Sequence, residues 1–407
     1  MADVSASVLI TDGDQRAALA CVRALGRSGH RCFVLAPARR SLAGASRFCE
    51  AGSVCPDPSD DRMGFVECVE ERIHALGPGV LLPITEKSLR ALLPERHSLG
   101  VSVPFPSLEV FSAVSDKENV LRVAQGLGIP VPRQRVWSSP AQAQGDRVSM
   151  TEFPLAIKPT ISVPPPRPGR ASFRGVEYIM DARGLERWIA NSDPEGYPVL
   201  VQERVVGHGI GVFLLIWDGS LRAVVGHRRI REKPPSGGVS VVRESTVPDG
   251  KLLEYSLDLL RTLGWTHGVA MVEFKRDARS GIPYLMEVNG RFWGSLQLAV
   301  DAGVDFPTLL LRCASGEPPR DVVRGTPGIR TRWLLGDVDQ LATRLLRNRQ
   351  DLGLPPGFPS RGRTLWDFLA DFRPGVRLEV LRFSDLGPFL CELGSWFGPL
   401  SSWRPSR

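Results

Sequence analysis

Two apolar runs joined by a short turn, "GVAMVEFKRD" and "YLMEVNGRFWGS", restrict the fold more than any other feature of the chain. Each reads as a strand, and "DARSGIPY" between them is too short and turn-rich for anything but an antiparallel connection. Along a strand, residues two apart share a face, so Glu287, Asn289 and Arg291 are expected side by side, with Glu273 brought next to Glu287 by the pairing. Paired carboxylates repel unless a cation or a proton neutralises them. Two carboxylates and an amide oxygen form a hard-oxygen set suited to magnesium. The competing reading is structural, because Asn289-Gly290 between apolar runs is also a strong two-residue hairpin signal.

Upstream, "SVLITDGDQRAALACVRALGRSGHRCFVLAP" reads as strand, turn, helix, strand. Asp12-Gly13-Asp14 is expected to form the turn and cap, Ala18, Cys21, Val22 and Leu25 one helix face, and Gly29 the stop. "GVLLPITEKSLRALLPER" repeats that grammar with Thr85 as a cap, so residues 1 to about 112 are expected to form a small doubly wound parallel sheet. The first turn lacks G-x-G-x-x-G, which argues against a dinucleotide site there. Next, "SDKENVLRVAQGLGIPVPR" predicts a helix with a Ser115–Glu118 capping box, stopped by Gly128 and Pro130. Lys117 in its first turn opposes the helix dipole: either it is solvated or it faces an anion.

"FPLAIKPTISVPPPRPGRASFRGVEYI" gives a strand carrying Lys158, then a proline-rich loop with Arg167, Arg170 and Arg174, read equally well as a cover over something anionic or as plain surface. "PVLVQERVVGHGIGVFLLIWDGSLRAVVGHRRIREKPPSGGVSVVRES" reads as consecutive antiparallel strands with a hairpin at Asp218-Gly219. Its "GHGIG" leads to no helix, so a phosphate-cradling loop is rejected. His208, His227 and His267 stand alone and are read as structural; no Ser-His-Asp, Cys-His or zinc pattern competes. The seven cysteines show no Cys-x-x-Cys pair and read as free thiols of a reducing, cytoplasmic compartment. A secretory leader and a membrane span are not expected, since the first residues lack a basic and apolar leader pattern and no segment approaches 18 apolar residues. The net charge of +7 comes from scattered arginines rather than a basic run, which favours an anionic small ligand over nucleic acid.

In this order, "DKENVLRVAQGLGIPVP", "FPLAIKP", "VLVQERVVG" and "MVEFKRD" to "LMEVNGRFWGS" resemble the ATP-grasp superfamily, within it the carbamoyl-phosphate-synthase-like, predicted carboxylate-amine ligase branch. The tail from "GIRTRWLLGDVDQL" looks like the same branch. The resemblance implies a mixed fold, α/β with an α+β clamp. A pre-ATP-grasp parallel sheet (1–112) would precede an N-terminal lobe with a lid (113–200) and a C-terminal lobe with antiparallel strands and the metal site (201–320). Residues 321–407 would be an extension that serves packing or a partner.

Carried onto matching positions, Lys117 and Lys158 would contact ATP phosphates, and Gln202, Glu203, Arg204 and Val205 would line adenine, partly through the backbone. Glu273, Glu287 and Asn289 would hold Mg2+, with Mn2+ as a substitute, and Arg291 would act with Lys158 on the transferring phosphoryl group. Two departures stand out. Where relatives place a ribose carboxylate this chain has Gly209, and the lid carries Pro164, Pro165 and Pro166 in place of a glycine cluster.

The implied function is an ATP-dependent ligase that activates a carboxylate as an acyl phosphate, releases ADP and passes the acyl group to an amine. The second substrate is expected at "HRRIREKPPSGGVS", from Arg228, Arg229 and Arg231, with Ser236, Gly237 and Gly238 allowing close backbone approach; alternation would split Arg228 from the other two arginines. Carboxyphosphate chemistry on bicarbonate and a low-turnover nucleotide-binding module are the alternatives. Partners are then small carboxylates and amines, with no nucleic acid or membrane, and a homodimer is compatible with this reading.

Overall fold

The computed structural model describes residues 6–147, 152–160, 175–355 and 357–398. Four parallel strands, β1 (Ser7–Ile10), β2 (Arg31–Ala36), β3 (Cys49–Val54) and β4 (Val80–Leu82), lie in the order β3-β2-β1-β4. Because β1 sits inside, the chain leaves it in both directions and helices cover both faces, the doubly wound arrangement expected. The run Val8-Leu9-Ile10 is fully buried, as a strand with two covered faces requires.

Helix Arg16–Arg27 packs against this sheet with Ala18, Cys21, Val22 and Leu25 buried, and Gly29 ends the turn at φ +84°. Its N-terminus differs from expectation: Gln15 is the cap and makes no side-chain bond. Asp12 serves another helix. Its carboxylate accepts from Ile84 N (3.3 Å), Thr85 N (3.2 Å) and Thr85 Oγ1 (2.8 Å), which joins the β1 turn to the start of Glu86–Leu92, where Thr85 is the cap.

A second sheet has the order β5-β8-β6-β7, from β5 (Gln134–Trp137), β6 (Leu155–Pro159), β7 (Glu177–Ile179) and β8 (Val199–Glu203), all antiparallel. Strand β8 runs across the expected division at 200/201 and belongs with this sheet. Trp137, Ile157, Leu185 and Val201 form its own small core.

The third sheet has eight strands in the order β13-β12-β9-β10-β11-β15-β16, with β14 paired to β10. Its members are β9 (Gly207–Trp217), β10 (Ser220–Lys233), β11 (Val239–Thr246), β12 (Gly268–Asp277), β13 (Pro283–Asn289), β14 (Val323–Arg324), β15 (Arg330–Arg332) and β16 (Val376–Leu378). The Asp218-Gly219 hairpin forms between β9 and β10, with both residues at positive φ (52° and 69°) as a two-residue turn of this hand requires. From the tail, β15 and β16 widen this sheet. From the same segment Glu379 reaches a buried network with Arg16 and Arg243, and Asp385 bonds the buried Arg23 of the first sheet's helix (2.8 Å). All seven cysteines are free. Among the described residues no helix is long and apolar enough to cross a membrane.

Candidate active site

Strands β12 and β13 pair with Glu273 opposite Glu287 and Met271 opposite Asn289. The carboxylates thus share one sheet face on neighbouring strands, where directly opposed Cβ atoms stand about 4.5–5.5 Å apart. The hairpin reading of Asn289-Gly290 fails. At Gly290 the chain passes against Trp265, whose ring would lie 2.6 Å from an added Cβ, and runs on into helix Leu296–Asp301. A relay of hydrogen bonds fixes the three polar residues: Asn289 Nδ2 donates to Glu287 Oε1 (3.1 Å), and Arg291 Nη2 donates to Asn289 Oδ1 (3.0 Å).

Two lysines reach this face from other elements. Helix Lys117–Gly126 packs on β13 and sets Lys117 Nζ 3.9 Å from Glu287 Oε2. Its cap is Asp116, whose carboxylate accepts from Glu118 N and Asn119 N, not the Ser115–Glu118 box; Ser115 ends the preceding helix and donates to the Phe111 carbonyl. Lys117 therefore faces an anion. Its own amide donates to the Thr160 carbonyl (3.2 Å), just beyond β6, which ties the start of this helix to the strand bearing Lys158. Burial lowers the Lys158 ammonium to about 8, with Lys117 adding to the effect and Glu287 opposing it. Burial also resists ionisation of Glu287, yet Lys117 and Lys158 outweigh it and hold this carboxyl below its usual range. Glu273 goes the other way. Burial raises it despite its contact with Arg229, and Glu287 and Glu232 add to the rise.

Arg229 shows what "GHGIG" is for. From β10 its side chain crosses β9 to reach Glu273, and a Cβ on Gly209 would lie 2.7 Å from its Cδ. Gly211 likewise leaves room for His227, which is buried and stacked on Phe213 at 4.3 Å. The glycines are a notch in the strand. Arg229 Nη1 also donates to Glu232 Oε1 (2.9 Å) and to the Gly238 carbonyl (3.1 Å).

Strict alternation would have put Arg231 beside Arg229. Irregularities in the β10–β11 register on either side of Arg231 turn it to the opposite face, where it binds Asp337 and Asp371 (both 2.8 Å). Arg228 is half exposed and bonds Glu244 (2.7 Å). Of the three arginines, Arg229 alone enters the carboxylate cluster. Gly237, at φ +130°, brings its backbone against the Tyr178 hydroxyl, and Gly238 passes close to the Lys233 carbonyl. Here the close approach is to protein.

In the segment expected to line adenine, Glu203 N donates to the Arg133 carbonyl (2.9 Å) and Arg204 N to the Pro154 carbonyl (3.0 Å). Gln202 Nε2 donates to Gln134 (2.6 Å), and Glu203 accepts from Arg133 Nε (2.9 Å). Val205 is buried. Arg204 lies over the Tyr178 ring, 3.9 Å from its centroid, and donates to the Gly353 carbonyl (2.6 Å). The tail therefore touches this region too. The loop with Arg167, Arg170, Arg174 and Pro164–Pro166 lies outside the described residues.

Sequence reasoning passed over Lys275, Glu232 and Tyr178. Lys275 was legible as the residue two beyond Glu273 on the same strand face. Glu232 was hidden by the β10 irregularity, and Tyr178 by depending on how two sheets meet. The donor set suits a hard cation: two carboxylates in register and one amide oxygen, with no sulfur or imidazole. Among the described residues no group of three or more His, Cys, Asp or Glu gathers as a metal site, which is compatible with magnesium because that ion takes one or two carboxylates plus phosphate oxygens.

A parallel-stranded domain joined to an antiparallel sheet and a largely antiparallel one, with lysines and carboxylates meeting between them, is the ATP-grasp fold. Residues 195–336 match the family model described as ATP-grasp in the biosynthetic pathway with Ter operon. Among solved structures, the chain is similar to an L-amino acid ligase from Bacillus licheniformis (TM-score 0.60, 16% identity, 76% of this chain and 74% of that one). It is also similar to an N5-carboxyaminoimidazole ribonucleotide synthetase from Thermus thermophilus (0.57, 16%, 79% and 81%). A third is the biotin carboxylase domain of a Hydrogenobacter thermophilus 2-oxoglutarate carboxylase, in complex with MgADP, ADP and bicarbonate (0.59, 15%, 78% and 71%). No curated protein matches the sequence.

Proposed function

We propose that the chain is an ADP-forming ligase that joins a carboxylate to an amine at the expense of ATP. The observation that carries this reading is the Glu273–Glu287 pair in register, met by Lys117 and Lys158 from two other elements and by Arg291 through Asn289. A carboxylate oxygen attacks the γ-phosphorus, the bond to the β-bridging oxygen breaks, and ADP leaves. The amine nitrogen then attacks the acyl carbon, inorganic phosphate departs, and the nitrogen loses its proton to solvent.

Phosphoryl transfer asks chiefly for positioning and charge neutralisation, which lysines and an arginine provide without a nucleophilic side chain. Lys117 and Lys158 hold phosphate oxygens, and Arg291 steadies the oxygens on which charge builds. Magnesium, held by Glu273, Glu287 and Asn289, would supply Lewis-acid neutralisation of the phosphates when bound, and manganese has the same oxygen preference. The Val205 amide and the face of Arg204 would line the base. Small carboxylates and amines in the cytoplasm complete this reading, and the division into 1–112, 113–200, 201–320 and 321–407 is kept as its outline, with β8 counted whole in the second part.

The test is substrate-dependent ADP release across amino acids and small carboxylates, with hydroxylamine in place of the amine. An accepted carboxylate is expected to give ADP, inorganic phosphate and a trapped hydroxamate. AMP and pyrophosphate would reject the mechanism. The bicarbonate in the Hydrogenobacter structure supports a second reading, carboxyphosphate formation, for which ADP release would depend on bicarbonate alone.

A further inference from the structure

Helix Arg361–Ala370 packs on the side of the large sheet to which Arg231 is turned, away from the carboxylate cluster, and its polarity is inverted. Its charged residues face the protein. Asp371, at the helix end, accepts from Arg231 (2.8 Å) and Arg330 (2.9 Å), the Asp367 carbonyl accepts from Arg231 Nη1 (3.3 Å), and Arg332 lies 4.2 Å from the centroid of the Phe368 ring. Outward stand Leu365, Trp366, Leu369 and, just past the helix, Phe372, at the i, i+1, i+4, i+7 spacing of a single helix face. Trp366 is 65% exposed, and among the described residues every exposed Phe or Trp falls within residues 366–397. A helix that turns its carboxylates inward and an aromatic stripe outward leaves apolar surface that water does not favour. We infer that this stripe is a docking face for an anionic lipid surface, on which the protein sits peripherally.

Charge decides what covers the stripe. Helix Leu334–Leu346 ends against the start of Arg361–Ala370: Arg361 Nη2 donates to the Arg347 carbonyl (3.0 Å) and Arg344 Nη2 to the Pro359 carbonyl (3.1 Å). Arg349 donates to the Pro355 carbonyl, and both it and Arg361 act electrostatically on Arg344. Among the described residues Arg344, Arg347, Arg349, Arg361 and Arg373 pair with no carboxylate, and between residues 344 and 374 Asp351 is the sole exposed acid. Arg363 is matched by Asp367 (2.9 Å). The stripe is therefore rimmed by uncompensated positive charge on a chain whose net charge is +7.

A second copy of the chain fits this rim poorly, because a twofold contact sets a patch against itself and would bring the same arginines together. Anionic headgroups neutralise them instead, and Trp and Phe beside arginine is the composition of a helix lying in the headgroup layer. Leu346, exposed where the two helices meet, adds to the apolar area. Crossing a bilayer takes a long apolar helix that the described residues lack, whereas lying on one takes only a face. Because Arg231 and Arg229 point to opposite sides of the sheet, docking through this helix leaves Glu273 and Glu287 open to their ligands.

Sedimentation of the full chain with vesicles tests this, using phosphatidylcholine alone and phosphatidylcholine mixed equally with phosphatidylglycerol. Binding is expected to the mixed vesicles and not to the neutral ones, and to weaken as salt rises to about 1 M, where charges are screened beyond about 3 Å. Trp366→Ser should weaken it by about tenfold or more, the effect of withdrawing one large apolar side chain, and Arg349→Gln and Arg361→Gln by about fivefold each. All three changes lie on the surface, so melting temperatures should stay within about 2 °C of the parent. Brominated lipid should quench tryptophan fluorescence less in Trp366→Ser than in the parent, which contact by charge alone would not produce. A folded parent that stays off the mixed vesicles overturns the inference. So does equal binding by parent and Trp366→Ser, which would place the contact elsewhere on the chain. A dimer in light scattering that Trp366→Ser dissolves, without vesicle binding, would give the stripe to a second copy instead.

Discussion

At the scale of single residues, the site keeps charge where water cannot reach it well, and that has a cost in stability. Lys158 is 8% exposed, and burial lowers its ammonium to about 8 from an ordinary 10.5. The sign follows from proton binding. Between about pH 8 and 10.5 the unfolded chain holds a proton that the folded chain has released, so this group's penalty fades as pH rises through that window. Lys158→Met should stabilise the ligand-free protein at pH 7 by on the order of 1–3 kcal/mol and flatten its stability across pH 8–10.5, as followed by urea unfolding. The same change should weaken ATP binding by about 10- to 150-fold in calorimetry, because it deletes a charged donor to phosphate. Glu287→Gln should remain folded by circular dichroism yet lose magnesium-dependent ADP release at any magnesium concentration, since one of the two in-register charges is gone. Unchanged turnover in that folded variant would remove Glu287 from the site.

At the scale of elements, β9 does its work through what it lacks. A Cβ at Gly207 would overlap the Arg276 backbone carbonyl of β12, whereas a Cβ at Gly209 would meet the stem of the Arg229 side chain. Gly207→Ala should therefore cost more stability, about 2–4 kcal/mol against about 1 kcal/mol for Gly209→Ala, because backbone in a ladder cannot step aside while a side chain can. The larger effect of Gly209→Ala should appear in the site, as altered nucleotide or metal affinity once Arg229 is pushed from Glu273. Equal melting temperatures for the two variants would contradict this account. The register irregularities of β10 follow the same logic, sending Arg229 to the site and Arg231 to Asp337 from one strand.

At the scale of the whole molecule, the tail is mortared into the first two-thirds of the chain. Glu379 is buried between Arg16 of the first helix and Arg243 of β11, and both arginines hold its carboxyl below the usual range despite burial. Its contribution is present above the ordinary carboxylate value near 4.5 and is lost as pH falls through and below it. Glu379→Gln leaves two buried guanidinium groups short of a partner, so a loss of about 3–5 kcal/mol is expected at pH 7, narrowing under acid as the parent loses the same charge. Thermal unfolding at pH 7 and pH 4 measures both. A cost that does not depend on pH would mean packing, and not the ion pair, is what Glu379 supplies.

Local pattern and turn chemistry determined the strand-helix-strand units of the parallel sheet, the Asp218-Gly219 hairpin and the shared strand face of Glu287 and Asn289, because these depend on near neighbours in the chain; Arg291, just past β13, joins them by its bond to Asn289. The pairing of Glu273 with Glu287 was legible for the same reason, since the short turn "DARSGIPY" leaves few registers. Helix starts were read less well. Asp116 rather than Ser115 caps the Lys117 helix, and Asp12, instead of capping its own helix, accepts from the amides that lead into the Thr85-capped helix some 70 residues away, because which oxygen reaches an amide depends on how the chain arrives. Only the tertiary structure decided that Lys117 faces Glu287, that the Gly209 notch admits Arg229 beside Glu232, and that residues past 320 complete the large sheet. Each of these joins groups far apart in sequence across sheets or strands, and local pattern carries no information about where two such surfaces meet.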